Sequence, residues 1–324
     1  MITVSVQSDE RSLTRILDKL WFEKGYDFRG YKISSIKRRV ARRMGLNNIE
    51  SYERYMNFLD SSPAEYHRLL YDLTIKVTGF FRDAYPFYIL RDRVLPDIIS
   101  SPPFNSPLTK GGQRGVIPLS PRSANLVPPP LMGGGEGEGE KKEGKRKYFQ
   151  GKDMANEIRI WCPGCATGEE PYSIGMLLLE TLKEDAGRLN IKIFGTDICK
   201  DTLEKARLGV YHYSFIEVME KGYRDNYFIP HDNNYRIKYC VRQMVRYGIH
   251  NLVNHPPISH LDLLLCRNVL IYFDRGLQEK AFRDFYYALR PKGYLVLGKS
   301  EVIINEFRDA FIEIDRKARV YQKI

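Results

Sequence analysis

The run Leu261-Asp262-Leu263-Leu264-Leu265-Cys266 is apolar at five of six positions, and no other feature constrains the fold more tightly. A strand with one wet face would alternate apolar and polar residues. A continuous apolar run needs cover on both faces, as in a parallel sheet sandwiched between helices. Strand and helix signals alternate around it from about residue 156. Strands are expected at 157–161, 191–195, 294–298 and 318–321, and helices at 171–182, 201–208 and 277–289. Pro171 suits the first turn of its helix. This alternation predicts an α/β domain with a mostly parallel sheet. Segments 227–229, 235–239 and 244–250, with turn residues at Asp232-Asn233-Asn234, read as three strands of a small antiparallel insertion at about 220–250.

Residues 1–97 have no convincing β pattern. Helical spacing at 11–22, 49–59 and 63–73 predicts a small all-α domain. A further helix is expected to start at Ser34 and Ser35, both good caps. Its apolar stripe is narrow, Ile36, Val40 and Met44, and Lys37, Arg38, Arg39, Arg42 and Arg43 fill the rest. Such a face is either solvated or binds something acidic. Segment 98–155 stands between the two domains. It holds Pro128-Pro129-Pro130, Gly133-Gly134-Gly135 and a stretch of only Gly, Glu, Lys and Arg at 136–147. Too little apolar surface is available there to offset ordering entropy, so a disordered linker or insertion is expected. The α/β domain is expected to occupy 156–324.

With 324 residues, two domains are expected. Net charge is +11, which points to an anionic partner. No run approaches the roughly 18 apolar residues of a membrane span, and the first residues lack a secretory pattern. Five cysteines are too few for a disulfide scaffold at this length. A reduced, cytoplasmic setting is the expectation.

The loop Trp161-Cys162-Pro163-Gly164-Cys165-Ala166-Thr167-Gly168-Glu169-Glu170 follows a strand and opens a helix. Its Cys-x-x-Cys pair suggests redox chemistry, but Gly-Glu-Glu-Pro does not belong to that motif. Zinc would need a second ligand pair, and the sequence offers none. A glycine loop for an adenosine-containing cofactor fits better, because Asp197 stands at the end of the next strand, where a ribose is gripped. Glu169 and Glu170 at the helix start would repel a pyrophosphate. They suit a cation such as S-adenosyl-L-methionine, although they also simply complement the helix dipole.

Four separated motifs resemble those of the chemotaxis-receptor glutamate O-methyltransferases, the CheR family. They are Gly164-Cys165-Ala166-Thr167-Gly168-Glu169-Glu170-Pro171-Tyr172-Ser173, Cys266-Arg267-Asn268-Val269-Leu270-Ile271-Tyr272-Phe273, Val77-Thr78-Gly79-Phe80-Phe81-Arg82-Asp83, and Leu203-Glu204-Lys205-Ala206-Arg207 through Tyr211. The resemblance implies a helical domain followed by a Rossmann-like methyltransferase domain with a small β-subdomain. It implies S-adenosyl-L-methionine contacts at Thr78, Arg82, Glu170, Asp197, Asn268 and Val269, with S-adenosyl-L-homocysteine as product. Lys76 stands where many members have Asn. Phe285 and Tyr286 are candidates for packing on the adenine, with helix core as the competing reading. Arg82 is expected to orient the acceptor, with Tyr294 or Tyr272 assisting. Arg38, Arg39, Arg42 and Arg43 are expected to meet the acidic helical region of a methyl-accepting chemoreceptor. No metal, nucleic acid or membrane insertion is expected, and the chain is read as a monomer.

The rivals are a nucleic-acid methyltransferase and a non-catalytic S-adenosyl-L-methionine-binding signalling module. The first would explain the charge, but Cys266-Arg267-Asn268-Val269 stands where an amino-methylating enzyme carries an Asn-Pro-Pro-Tyr-like run. An acceptor glutamate with a pKa of about 4.3 is already ionised at neutral pH. The absence of an obvious triad or Cys/His pair therefore agrees with carboxylate methylation.

Overall fold

The structure is a computed structural model describing residues 2–74, 78–100, 157–183, 187 and 189–324. The described residues belong to one compact unit. Lys76 and the expected linker from 101 onward lie outside them. Among the described residues, no helix is long and apolar enough to cross a membrane.

Helices α1 (Ile2–Lys24), α2 (Ile33–Leu46), α3 (Tyr52–Ser61) and α4 (Pro63–Leu73) build the first layer. Their shared core includes Leu13, Ile16, Leu20, Phe28, Tyr55 and Leu69. In α2 the stripe Ile36, Val40 and Met44 is buried, as its spacing of four predicts. Ser34 and Ser35 do not cap this helix, however, but lie inside it. The cap position is Lys32, whose side chain caps nothing. Its backbone N–H instead donates to the carbonyl of Tyr272 at 2.7 Å, so a tertiary contact sets the helix start. By contrast, Ser51 and Ser62 do cap α3 and α4, accepting from Arg54 N–H and Glu65 N–H.

Helix α5 (Tyr85–Ile89), a π turn at Leu90–Val94 and α6 (Leu95–Ser100) follow in continuous succession. Phe87, Leu90, Val94, Leu95 and Ile98 pack into the core of the sheet rather than into that of α1–α4. Helix α6 runs across the boundary expected between 97 and 98, so the change of core precedes the change of composition.

The sheet comprises β1 (Glu157–Pro163), β2 (Asn190–Asp197), β6 (Val245–Ile249), β7 (Leu261–Cys266), β8 (Leu289–Leu297), β9 (Phe311–Asp315) and β10 (Val320–Lys323). Its order is β6-β2-β1-β7-β8-β10-β9, with β10 antiparallel to both neighbours and the other pairings parallel. Between the strands run α7 (Glu169–Leu182), α8 (Lys200–Leu208) and α12 (Arg275–Ala288). Strand β7 is buried at every position. Leu263 and Leu265 face one core cluster, and Leu261, Leu264 and Cys266 face the other. Both faces are covered, as the apolar run required.

The smaller sheet is antiparallel, as expected, but its strands differ. It contains β3 (Val210–Tyr211), β5 (Asn234–Ile237) and β4 (Phe228–His231), in that order. Short helices α9 (Tyr213–Ile216) and α10 (Lys221–Tyr227) lie between β3 and β4, and α11 (Tyr239–Arg242) follows β5. The expected third strand at 244–250 belongs instead to the large sheet, as β6 paired in parallel with β2. Pattern marks a strand, but pairing depends on which backbone edge the fold brings near.

Candidate functional site

A cleft opens where the sheet order reverses, past the carboxyl ends of β1, β2, β6 and β7, the usual ligand position in such folds. The β1–α7 loop forms its floor. Gly164 and Gly168 have φ of +71° and +92°, and Ala166 joins them at +48°. A side chain at Gly164 would strike Val269 Cγ2 at 2.5 Å, and one at Gly168 would strike Tyr247 Oη at 2.5 Å. Glycine is therefore needed for turning and for close approach.

Asp197 ends β2 and is largely buried beside this loop. Its Oδ2 accepts from Ala166 N–H and its Oδ1 from Cys199 N–H, each at 2.9 Å. Those bonds fix the orientation of the carboxylate at the cleft. Glu170 lines the same cleft. Burial pushes its carboxyl above the ordinary value, and the Arg267 guanidinium, donating at 2.9 Å, opposes that rise. Arg267 also donates to the Arg82 carbonyl at 2.8 Å and to Asp83 at 3.1 Å. Its side chain is almost wholly buried, so this one guanidinium ties the β7 end to the 82–83 turn and to α7.

Asn268 takes φ of +60°. Its N–H and that of Val269 both donate to Glu301 at 2.9 Å, and Gly298 N–H donates to the same carboxylate at 2.7 Å. A Cβ at Gly298 would lie 2.7 Å from Glu301 Oε2 and 2.8 Å from the Asn268 nitrogen. Opposite stand His250, Asn251 and Leu252, from the loop after β6. Asn251 Oδ1 accepts from Val253 N–H at 2.9 Å, while its buried Nδ2 has no protein partner among the described residues. Tyr31, Leu73 and Thr74 from the helical layer, with Tyr272, close the mouth.

The sequence-derived set divides here. Thr78, Arg82, Glu170, Asp197, Asn268 and Val269 converge on the cleft. Lys76 lies outside the described residues. Three candidates are corrected. Tyr294 does not line the cleft; its hydroxyl donates to Asp97 at 2.7 Å on the α6 side of the sheet. Phe285 is fully buried, edge-on to Trp161 at 6.4 Å, and Tyr286 packs against Phe311. The register of α12 points Phe285 into the helix–sheet core and leaves Tyr286 half-buried at its edge beside Lys323, and neither lines the cleft. Of the tyrosine pair considered, Tyr272 is the one at the cleft.

The basic helix also divides. Arg43 makes a bidentate pair with buried Glu65, which accepts from Tyr55 as well. Arg39 donates to the carbonyls of Asp72 and Leu73 and lies 5.4 Å over the Tyr272 ring. These two brace the fold. Lys37 and Arg38 are exposed, and Arg42, also exposed, donates to Asp72 at 3.2 Å. The Cys-x-x-Cys pair is not redox-poised: both thiols are buried and burial pushes them well above their ordinary value, away from the reactive thiolate.

Arg267, Glu301, Asn251 and Tyr31 were missed from sequence. Arg267 sits within the quoted β7 motif, so its neighbours were the available signal. Glu301 and Asn251 bond to backbone groups and leave no side-chain pattern.

The cleft suits a ligand with ribose-like hydroxyls and a cationic end, and the orphaned Asn251 amide offers a donor for a heteroaromatic edge. Family models agree with that arrangement. The model described as "CheR methyltransferase, SAM binding domain" matches residues 142–320, and "CheR methyltransferase, all-alpha domain" matches 11–74. Among curated relatives, a chemotaxis protein methyltransferase of Salmonella typhimurium is 27% identical over 91% of this chain and 85% of its own length. One of Borreliella burgdorferi is 25% identical over 93% of this chain and 91% of its own. An uncharacterized 104.1 kDa protein of Rhodobacter capsulatus is 29% identical over 97% of this chain, which spans only 28% of that protein.

Proposed function

The chain belongs to the CheR methyltransferase family, and from that premise we propose that it methylates glutamate side chains of chemotaxis receptors, using S-adenosyl-L-methionine. The observation that carries this reading is the convergence of two acids, Asp197 and Glu170, and of Arg82 on one cleft. Asp197, oriented by two backbone N–H groups, accepts the ribose hydroxyls. Glu170, kept ionisable by Arg267, faces the positively charged methionine end. Asn251 donates to the adenine edge, and the Asn268–Val269 backbone, held by Glu301, lines the remaining wall.

When bound, the donor supplies a methyl group on a cationic sulfur. The acceptor carboxylate is already charged, so no general base is required. The work of the protein is alignment, with reacting atoms about 3–3.5 Å apart. Arg82 orients the carboxylate as a bidentate partner, and Tyr31, Leu73 and Tyr272 exclude water from the mouth. Exposed Lys37 and Arg38 supply charge that complements a receptor helix rich in Glu.

Isothermal titration with S-adenosyl-L-methionine and transfer of labelled methyl to a receptor cytoplasmic fragment test the proposal together. A base-labile label on receptor glutamates is expected. Label on nucleic acid, or cofactor binding without transfer to any receptor, would favour one of the two rivals. In Asp197→Ala the cofactor Kd should rise at least about thirtyfold, reflecting lost charged hydrogen bonds of about 2 kcal/mol or more. Near-wild-type affinity in a folded variant would remove the ribose assignment.

A further inference from the structure

A second cavity, of about 670 Å³, lies behind the cofactor cleft, between the α12 start, the 300–305 segment and the β9–β10 hairpin. Its wall carries five cations, Lys32, Arg275, Arg308, Arg316 and Arg319, against two carboxylates, Glu301 and Glu313. Not all of this charge is free. Arg275 is paired with Glu279 and Glu306. Lys32 donates to the Ile271 carbonyl at 2.8 Å, and Arg319 to that of Lys299 at 3.4 Å. Glu301 is consumed by backbone N–H groups. Arg308 and Arg316 are exposed and have no ion-pair partner among the described residues. The floor is apolar and aromatic, with Phe282, Ile303, Phe311 and Tyr321. Guanidinium groups above an aromatic floor match a ligand that carries phosphates on a flat, partly apolar body.

Glu301 stands in the wall shared with the cofactor cleft. It lines this second cavity together with Leu270 and Ile271. Its carboxylate holds the N–H groups of Asn268 and Val269, which line the first. A ligand that reorders the 300–305 segment therefore displaces the atoms that shape the cofactor wall. We propose that this cavity binds a phosphate-bearing small molecule and that its occupancy is coupled through Glu301 to affinity in the first cleft. The binding half stands on the second cavity alone; the coupling half rests on the reading of the first cleft as the S-adenosyl-L-methionine site.

The experiment uses the full chain with EDTA present. Tripolyphosphate and GTP are titrated calorimetrically with the first cleft filled by S-adenosyl-L-homocysteine, against wild type and Arg308→Glu/Arg316→Glu. Saturable binding is expected, weakened at least tenfold in the double variant and weakened further between 50 and 200 mM salt. Unfolding temperature and cofactor affinity of the probe-free variant should match wild type. Separately, saturating tripolyphosphate should shift the S-adenosyl-L-methionine Kd of wild type at least threefold, and not that of the variant. Absence of saturable binding, or equal binding by the variant, overturns the site. Binding without a Kd shift overturns the coupling. A polyglutamate peptide that binds where both phosphate probes fail would assign the cavity to an acidic protein instead. If S-adenosyl-L-methionine itself does not bind, the proposed function fails, while the probe isotherms still decide the second cavity.

Discussion

Two acids illustrate how unevenly single residues were legible. Asp197 could be named in advance because a glycine loop, a strand and a terminal acid form a linear pattern with one chemical use. Glu301 could not, because its partners are the N–H groups of Asn268, Val269, Ile271 and Gly298, and backbone donors look alike in any sequence. Its importance follows from accounting for those donors. Truncation to alanine leaves buried N–H groups without acceptors, each costing about 1–3 kcal/mol. Glu301→Ala is therefore expected to lose at least about 3 kcal/mol of stability and to weaken cofactor binding through the Asn268–Val269 wall. Thermal unfolding and calorimetry measure the two effects. A variant unchanged in both would show that water replaces the carboxylate at no cost.

Among the elements, α2 departs furthest from its sequence reading. Five cations in one short stretch suggested a face that is either solvated or acid-binding, yet the helix uses Arg39 and Arg43 inwardly. Glu65 explains the second: burial tends to raise its carboxyl, but hydrogen bonds from Arg43 and Tyr55 prevail and lower it. Removing one member of a buried pair strands the other, at about 3–5 kcal/mol. Arg43→Ala should thus melt markedly earlier and impair everything indirectly. Lys37→Glu/Arg38→Glu should melt like wild type while raising the KM for receptor and leaving cofactor affinity intact. If that double reversal methylates receptor normally, the exposed face of α2 is only solvated. The same lesson applies to α12, whose Phe285 and Tyr286 were considered for adenine. Helical register directs Phe285 into the core and Tyr286 to its edge, and only the sheet's position reveals it.

At the scale of the whole molecule, the helical layer docks through backbone as well as side chains. Lys32 N–H reaches the Tyr272 carbonyl at 2.7 Å, Asp274 N–H reaches that of Gly30 at 2.9 Å, and Tyr31 meets Phe273 edge-on. A side chain at Gly30 would approach Leu277 to 2.8 Å, so this seam tolerates no added bulk. Stability of the assembled unit should also carry a pH signature from Glu169, which is fully buried where α7 begins. Burial raises its carboxyl to about 7 from an ordinary 4.5, against hydrogen bonds from Thr167 and Thr78. The folded state thus keeps its proton to higher pH than the unfolded chain. Between those values the folded state binds more protons, so stability falls as pH rises, and the full penalty applies above about pH 7. Its size is on the order of 3 kcal/mol. Glu169→Gln should therefore gain thermal stability over wild type at pH 8, with the gain shrinking at pH 5. An equal difference at both pH values would mean that Glu169 titrates normally.

By itself, the sequence determined the fold class, the all-α layer before a covered parallel sheet, and the six cleft residues that sit in motifs. The fold class, Asp197 and Glu170 were readable because burial on two faces, helical period and loop-to-acid spacing are local signals written along the chain, whereas Thr78, Arg82, Asn268 and Val269 came from the resemblance of their motifs to a known family. Only the tertiary structure decided that 245–249 extends the large sheet, that Tyr294 serves Asp97, that two of the helix arginines face inward, and that Arg267 and Glu301 hold the cleft walls. Each of those depends on which distant backbone edge or buried charge comes within hydrogen-bond reach, and reach in space is not encoded in spacing along the chain.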